Sequence, residues 1–295
     1  MADADTTRVG IIGIGRMGAA MARRLRPDLE VLGYDVRPRP DVEIVMVATP
    51  AVLAERCDVL LLALPSPRET RAVFADPAFR AAFQTGRAIA FDMSTSDPAS
   101  LEELANDLGD AAERLLDAPV LGRPDRCGAW TIPVGGDEAA LERARGVLER
   151  LAARVEHLGT RGSAHTLKLL NNLMFAAINV VTAEVIGACD ALGLPPQKFV
   201  EVVATSQAAT VSPLFRDLAP RMIDGGGETV FTVDLLAKDL QLAARMCEDA
   251  GASLVSTRAS QIVTAQALRL GLGQADTAAL VRCFRPAEAG AEVSP

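Results

Sequence analysis

Lysine is scarce in this chain. Of its 30 basic residues only three are lysine, Lys168, Lys198 and Lys238, and the rest are arginine. Arginine stays protonated at any working pH, so chemistry that needs a titratable amine falls to one of these three. Histidine is scarcer still, and His157 and His165 alone can hardly build a multi-imidazole metal site or a catalytic triad. The five cysteines (Cys57, Cys127, Cys189, Cys247, Cys283) are odd in number and lack metal-ligand spacing. That argues against a disulfide framework and a zinc site, and no metal is expected. An excess of positive charge is also missing: the formal net charge of −8 argues against nucleic acid as the main partner. The sequence shows neither a basic-then-apolar leader nor a run of apolar residues long enough to span a bilayer. A cytoplasmic address with no membrane partner is the expectation.

What is present is an alternation of short apolar runs and helical patterns. Val9–Ile12, Val31–Tyr34, Val59–Leu64 and Ile89–Phe91 read as strands and Met17–Leu25 as a helix, an order that calls for parallel strands joined by right-handed crossovers. Asp117–Val120 and Trp130–Val134 flank a polar turn and suggest an added mixed-sheet portion, followed by a helix near 137–153 and a last strand near 155–158. After Gly159 the strand pattern stops. Residues 163–191 contain no proline and predict one long helix, ended by Gly193 and the Pro195-Pro196 pair. The expected architecture is an α/β Rossmann-type dinucleotide-binding domain over residues 1–160, followed by an all-α C-terminal domain over 161–295. Residues 286–295 read as a disordered tail.

Gly13-Ile14-Gly15-Arg16-Met17-Gly18 follows a predicted strand and opens a predicted helix. In that setting the first glycine permits a tight turn, the second admits a pyrophosphate and the third lets helix and strand close up. The helix N-terminus supplies amide donors for the phosphates. Asp35 ends the second strand, 22 residues after Gly13. A carboxylate there accepts from ribose hydroxyls and repels a 2′-phosphate, so NAD is expected, with NADP kept open by Arg37 and Arg39. Leu64-Pro65 and Ser94-Thr95 lie at the carboxyl ends of predicted strands, where open parallel sheets place ligands. Ser96 or Asp97 would cap a helix opening at Pro98.

Gly-Ile-Gly-Arg-Met-Gly18 with Met21-Ala22, Asp92-x-Ser-Thr95, Asp117-Ala-Pro-Val120, Gly162 to Asn172 and Lys238-Asp239 occur in the order of one family. The chain resembles the β-hydroxyacid dehydrogenases, the family of 3-hydroxyisobutyrate and tartronate semialdehyde dehydrogenases. The resemblance implies hydride exchange between a nicotinamide and the carbinol carbon of a small hydroxy acid, a long interdomain helix, and a homodimer or homotetramer. It places the catalytic lysine on Lys168, its companion asparagine on Asn172, and a position near nicotinamide and substrate on Lys238. The residues agree independently for the first pair. At about 100° per residue His165, Lys168, Asn172, Phe175 and Asn179 share one helix face. An amine among leucines has its charged form disfavoured. Lys238 has a bland alternative, an ion pair with Asp234 at i−4, and Lys198 reads as surface.

One stretch departs from the family. After Asp117-Ala-Pro-Val120 the resemblance implies serine, glycine, glycine at the substrate carboxylate, and here the residues are Leu121-Gly122-Arg123. Arg123 is expected to replace the lost donors with a bidentate clamp, and Leu121 to favour a less polar substituent. An imine reductase of similar fold is the competing enzyme, although its proton donor usually differs at the lysine position. A non-catalytic nucleotide-binding scaffold is the competing non-enzyme.

Overall fold

The structure is a computed structural model and describes residues 7–37, 39, 41–206, 212–225, 229–252 and 254–285. The tail expected at 286–295, and Pro38 and Pro40, lie outside the described residues. The chain divides into two compact units, Met1–Leu169 and Leu170–Pro295.

In the first unit the elements run β1 (Arg8–Ile12), α1 (Arg16–Leu25), β2 (Glu30–Tyr34), β3 (Val45–Met46), α2 (Pro50–Arg56), β4 (Val59–Leu62), α3 (Pro67–Ala75), α4 (Pro77–Thr85), β5 (Ile89–Asp92), α5 (Pro98–Leu108), β6 (Leu115–Asp117), β7 (Trp130–Val134), α6 (Glu138–Leu151) and β8 (Ala152–His157). Six strands pair in the order β3-β2-β1-β4-β5-β6, all parallel. That is the doubly wound order expected of a Rossmann domain. Every residue of β4 and β5 is buried, the mark of strands covered on both faces. Alternate residues feed two cores. Val9, Ile11, Leu61 and Phe91 pack with α1 and α6 on one side. Ile12, Leu60, Leu62 and Ala90 pack on the other with Phe74, Phe79 and Phe83, whose rings meet edge-on at 5.0 and 5.3 Å. Register aligns the carboxyl ends: Ile12 lies opposite Tyr34 and Leu62, Leu62 opposite Asp92, and Asp92 opposite Asp117.

One local expectation is corrected and another is decided. The portion around Asp117 and Trp130 is not a mixed sheet: β6 joins the main sheet, and β7 pairs parallel with β8 as a separate two-stranded sheet. Antiparallel contact is confined to single bridges, Asp117 to Gly135 and Leu121 to Thr131. β3 is only Val45–Met46, because Val42 is buried in a turn in which its N–H donates to the Arg39 carbonyl. Of the two candidate caps before Pro98, Asp97 serves, accepting from the Ser100 N–H at 2.8 Å.

A single helix, α7 (Ser163–Ala191), crosses the boundary between the units with the expected limits. It stops in a left-handed Gly193 (φ 70°), where the Leu194 N–H donates back to the Cys189 carbonyl. By length and composition α7 could cross a membrane, which corrects the reading that no such run exists; 44% of its most apolar window is buried inside the protein. The second unit continues with α8 (Pro196–Thr205), α9 (Pro213–Ile223), α10 (Val233–Asp249) and α11 (Val255–Arg269). Ala176, Val180, Ala183 and Ile186 of α7 pack with Leu218 and Met222 of α9 and Leu236 and Leu240 of α10. Asp276 ties this unit together, accepting from the Val230, Phe231 and Ala278 amides and pairing with Arg221 at 2.7 Å.

Candidate functional site

The glycine loop has the geometry its sequence demands. Gly13 sits at φ 91°, and a Cβ there would lie 2.6 Å from the Ala63 carbonyl oxygen. A Cβ on Gly18 would lie 2.0 Å from the Gly13 carbonyl oxygen, so helix and strand touch at that residue. A Cβ on Gly15 would meet nothing within 4 Å. The open space is at the glycine that must admit a pyrophosphate, beside the N-terminus of α1, whose N-cap Gly15 offers no side-chain cap. Arg16 is exposed and Met17 half-buried, whereas the Ile14 side chain is wholly in the core. Asp35 holds the loop: one carboxylate oxygen accepts from the Ile14 N–H at 2.7 Å and the other from the Arg37 N–H at 2.8 Å. Each oxygen keeps a lone pair for a ribose hydroxyl. Arg39 is turned to Asp41 at 2.7 Å, and that hydrogen bond holds the Asp41 carboxyl down at about 2. Leu64 and Pro65 follow β4 as a half-buried and an exposed residue, at the same end of the sheet. These features fit a dinucleotide.

The second cluster lies at the carboxyl ends of β5 and β6. Asp117 is fully buried, and its carboxylate accepts from the Gly162 N–H at 2.8 Å and the His165 N–H at 2.9 Å. An aspartate on β6 therefore caps the N-terminus of α7. One turn further along α7, Lys168 Nζ donates to the Val120 carbonyl at 2.9 Å, immediately before the departing loop. Ser94 is buried rather than displayed, with its N–H and hydroxyl both on Asp92 Oδ1 at 3.0 and 2.6 Å, and Thr95 beside it is half-buried. Asp92 Oδ2 in turn stands 3.4 Å from Nε2 of the wholly buried His165. Burial alone would push the Asp92 carboxyl up; His165 and Ser94 outweigh it and hold it below the usual carboxylate range.

The loop at Leu121 is pinned. Leu121 and Thr131 exchange both main-chain hydrogen bonds, so the Leu121 amide is already committed. Gly122 packs against the one tryptophan, where a Cβ would come within 2.2 Å of Trp130 Cδ1, and the indole N–H donates to the Arg123 carbonyl at 2.7 Å. Arg123 itself is exposed.

In the second unit Asn172 donates to Asp239 Oδ2 at 2.6 Å, and Lys238 Nζ approaches Asp239 Oδ1 at 3.0 Å. Asp234, the alternative i−4 partner of Lys238, accepts from the Gln274 side chain. Lys198 is on the surface, paired with Glu201. Four residues of these clusters had no assigned role from sequence: Asp92, Asp117, His165 and Asp239. The scarcity of histidine and the Lys238-Asp239 pair were the available signals.

Comparison with known proteins agrees with this geometry. Residues 8–159 match the NAD binding domain of 6-phosphogluconate dehydrogenase, and residues 162–284 match the family described as NAD-binding of NADP-dependent 3-hydroxyisobutyrate dehydrogenase. The mitochondrial 3-hydroxyisobutyrate dehydrogenase of Homo sapiens is 30% identical over 81% of this chain and 75% of its own length. L-threonate dehydrogenase of Cupriavidus necator is 29% identical over 94% and 95%. The crystal structure of 3-hydroxyisobutyrate dehydrogenase from Salmonella typhimurium matches with a TM-score of 0.83 and 26% identity, covering 94% of this chain and all of that one. An imine reductase from Myxococcus stipitatus, at 18% identity and a TM-score of 0.61, shares the fold alone. With a dinucleotide loop and an α7 motif both in place, the chain belongs to the β-hydroxyacid dehydrogenase family of nicotinamide-dependent oxidoreductases.

Proposed function

We propose that this enzyme interconverts a small β-hydroxy acid, or a related alcohol, and its carbonyl product, with Lys168 as general acid and base. The observation that carries the reading is the hydrogen bond of Lys168 Nζ to the Val120 carbonyl at 2.9 Å, at the mouth of the 121–123 loop. A bound nicotinamide supplies the hydride acceptor for oxidation and the donor for reduction. The amine and the ammonium each have an N–H to give Val120, so the side chain keeps its place whether or not it carries the extra proton. As the neutral amine it takes the substrate hydroxyl proton; as the ammonium it returns that proton. Asn172, the next residue but three along α7, is its companion, oriented by Asp239. Gly13, Gly15, Gly18, Asp35, Leu64, Pro65 and Thr95 belong to the same reading as cofactor contacts.

Substrate recognition follows the altered loop. The Leu121 amide is spent on Thr131, and no hydroxyl stands in the place of the family's serine. The exposed Arg123 guanidinium is the proposed carboxylate clamp, with Leu121 beside it for an apolar substituent. Assembly as a homodimer or homotetramer in the cytoplasm completes the proposal; Met174 (68% exposed) and Val181 (52%) on α7 are the apolar surface such an assembly could cover.

A panel of C3 and C4 hydroxy acids, β-hydroxy amino acids and cyclic imines, read by NADH and NADPH absorbance, tests the reading. Lys168→Arg keeps the charge and removes the titratable amine. It should lower kcat by about 10²–10⁴-fold while cofactor binding persists. Turnover of imines alone, or an active Lys168→Arg variant, would overturn the assignment.

A further inference from the structure

His165 is the most deeply buried titratable cation in the first unit, and the acid/base chemistry gives it no task. Its ring is fully enclosed; neither ring nitrogen has a hydrogen-bond partner among the described residues, and Nε2 stands at ion-pair distance, 3.4 Å, from Asp92 Oδ2. The second Asp92 oxygen holds the N–H and the hydroxyl of Ser94. The main chain of His165 is held separately, its N–H donating to Asp117 at 2.9 Å. One residue is therefore gripped from two adjacent strands, by its side chain from β5 and by its backbone from β6.

Lys168 stands three residues beyond, on the same helix face, where side chains lie about 5–6 Å apart at Cβ. Its Nζ reaches Val120, three residues beyond Asp117. A core position in a helix can be filled more cheaply by leucine, since exchanging a buried ion pair for apolar groups of like volume is often neutral or stabilising. Stability alone thus does not account for a buried imidazole here, in a chain with two histidines. The other, His157, bonds the Gly136 carbonyl through its ring.

We propose that His165 is a positioning residue: paired with Asp92, it locks the Ser94-Thr95 turn to the first turns of α7 and so fixes where the Lys168 amine stands. The proposal rests on Lys168 being the acid/base group. The charged groups facing the imidazole are Asp92 from β5, Asp97 from the turn ahead of α5 and Asp117 from β6, with Lys168 on its own helix. Burial works to strip its proton, but Asp92 first and then Asp117 and Asp97 outweigh that and raise its pKa above the ordinary imidazole value.

The chain has three lysines, so reductive ¹³C-methylation gives one resolvable signal for each, and Lys168→Arg assigns the one that matters. His165→Leu removes the donor and keeps the bulk; His165→Gln returns a donor near the place of Nε2. In His165→Leu the titration midpoint of the Lys168 signal should move by about half a unit or more. With 3-hydroxyisobutyrate and L-threonate as probe substrates kcat should fall about tenfold. The Km for the cofactor should stay within about twofold, and His165→Gln should recover kcat to within about threefold. Should His165→Leu not fold, Asp92→Asn removes the opposing charge, keeps the side-chain volume, and predicts the same loss, with NADH fluorescence reporting the intact cofactor site. A Lys168 signal and a kcat like those of the wild type in either variant overturn the proposal. An active Lys168→Arg enzyme sinks the acid/base reading instead, and the methyl signal still shows whether His165 positions the amine.

Discussion

Three glycines in one loop are easily treated as a single motif, yet each answers to a different atom. Gly13 is fixed by its positive φ, Gly18 by the Gly13 carbonyl 2.0 Å from where its Cβ would be, and Gly15 by nothing in the protein. Gly15 has φ −71°, which any residue adopts. Gly15→Ala should therefore leave the urea midpoint of the free protein unchanged or slightly raised, since alanine restricts the unfolded chain. Its cofactor affinity should fall, because the new methyl enters the space left for the phosphates. Gly18→Ala should do the opposite, losing about 1–3 kcal/mol of stability through overpacking. Equal effects of the two substitutions on folding would refute the division of labour. This part of the site was legible in advance, because turn, approach and packing are local demands that residue type encodes. The close approach of Trp130 to Gly122 was not, because a partner eight residues away in sequence leaves no local mark.

At the scale of elements, the strands buried on both faces and the proline-free α7 were readable from apolar periodicity, and most limits moved by only a residue or two. The failures share a cause. Asp92, Asp117 and Asp276 act on groups 73, 48 and 46 residues away, and no local pattern reports a partner at that distance.

The Asp92–His165 pair, which joins β5 to α7, has a testable consequence for stability. Its Asp92 carboxyl is held below the ordinary value, so that contribution is complete above about pH 3.9 and fades as pH falls through the folded pKa. The imidazole is raised, so its contribution is complete below about pH 6.5 and fades as pH rises through the folded pKa. The pair should stabilise most between about pH 4 and 6.5. Urea midpoints of the wild type and His165→Leu across pH 3–9 should differ most inside that window; a difference independent of pH would mean that the pair is not ionised in the fold.

For the molecule as a whole, the cofactor is the one ligand whose binding the sequence, the loop and the family all support, and its choice between NAD and NADP turns on few groups. Asp35 stands at the end of β2 with both oxygens anchored by amides, so its charge cannot swing away from an incoming 2′-phosphate. Arg39 is committed to Asp41, which leaves the exposed Arg37 as the nearby cation that could offset Asp35. A fixed carboxylate against one solvated guanidinium favours the dinucleotide without the phosphate. A ligand at about 100 times its Kd adds about 2.7 kcal/mol to the folded state. For a unit of this size that corresponds to roughly 5–10 °C in Tm. NAD⁺ should reach that shift at lower concentration than NADP⁺, and Asp35→Asn should narrow the gap by weakening the repulsion. If NADP⁺ gives the larger shift at equal concentration, and Arg37→Ala removes it, the cation has won and Asp35 serves only to hold the loop.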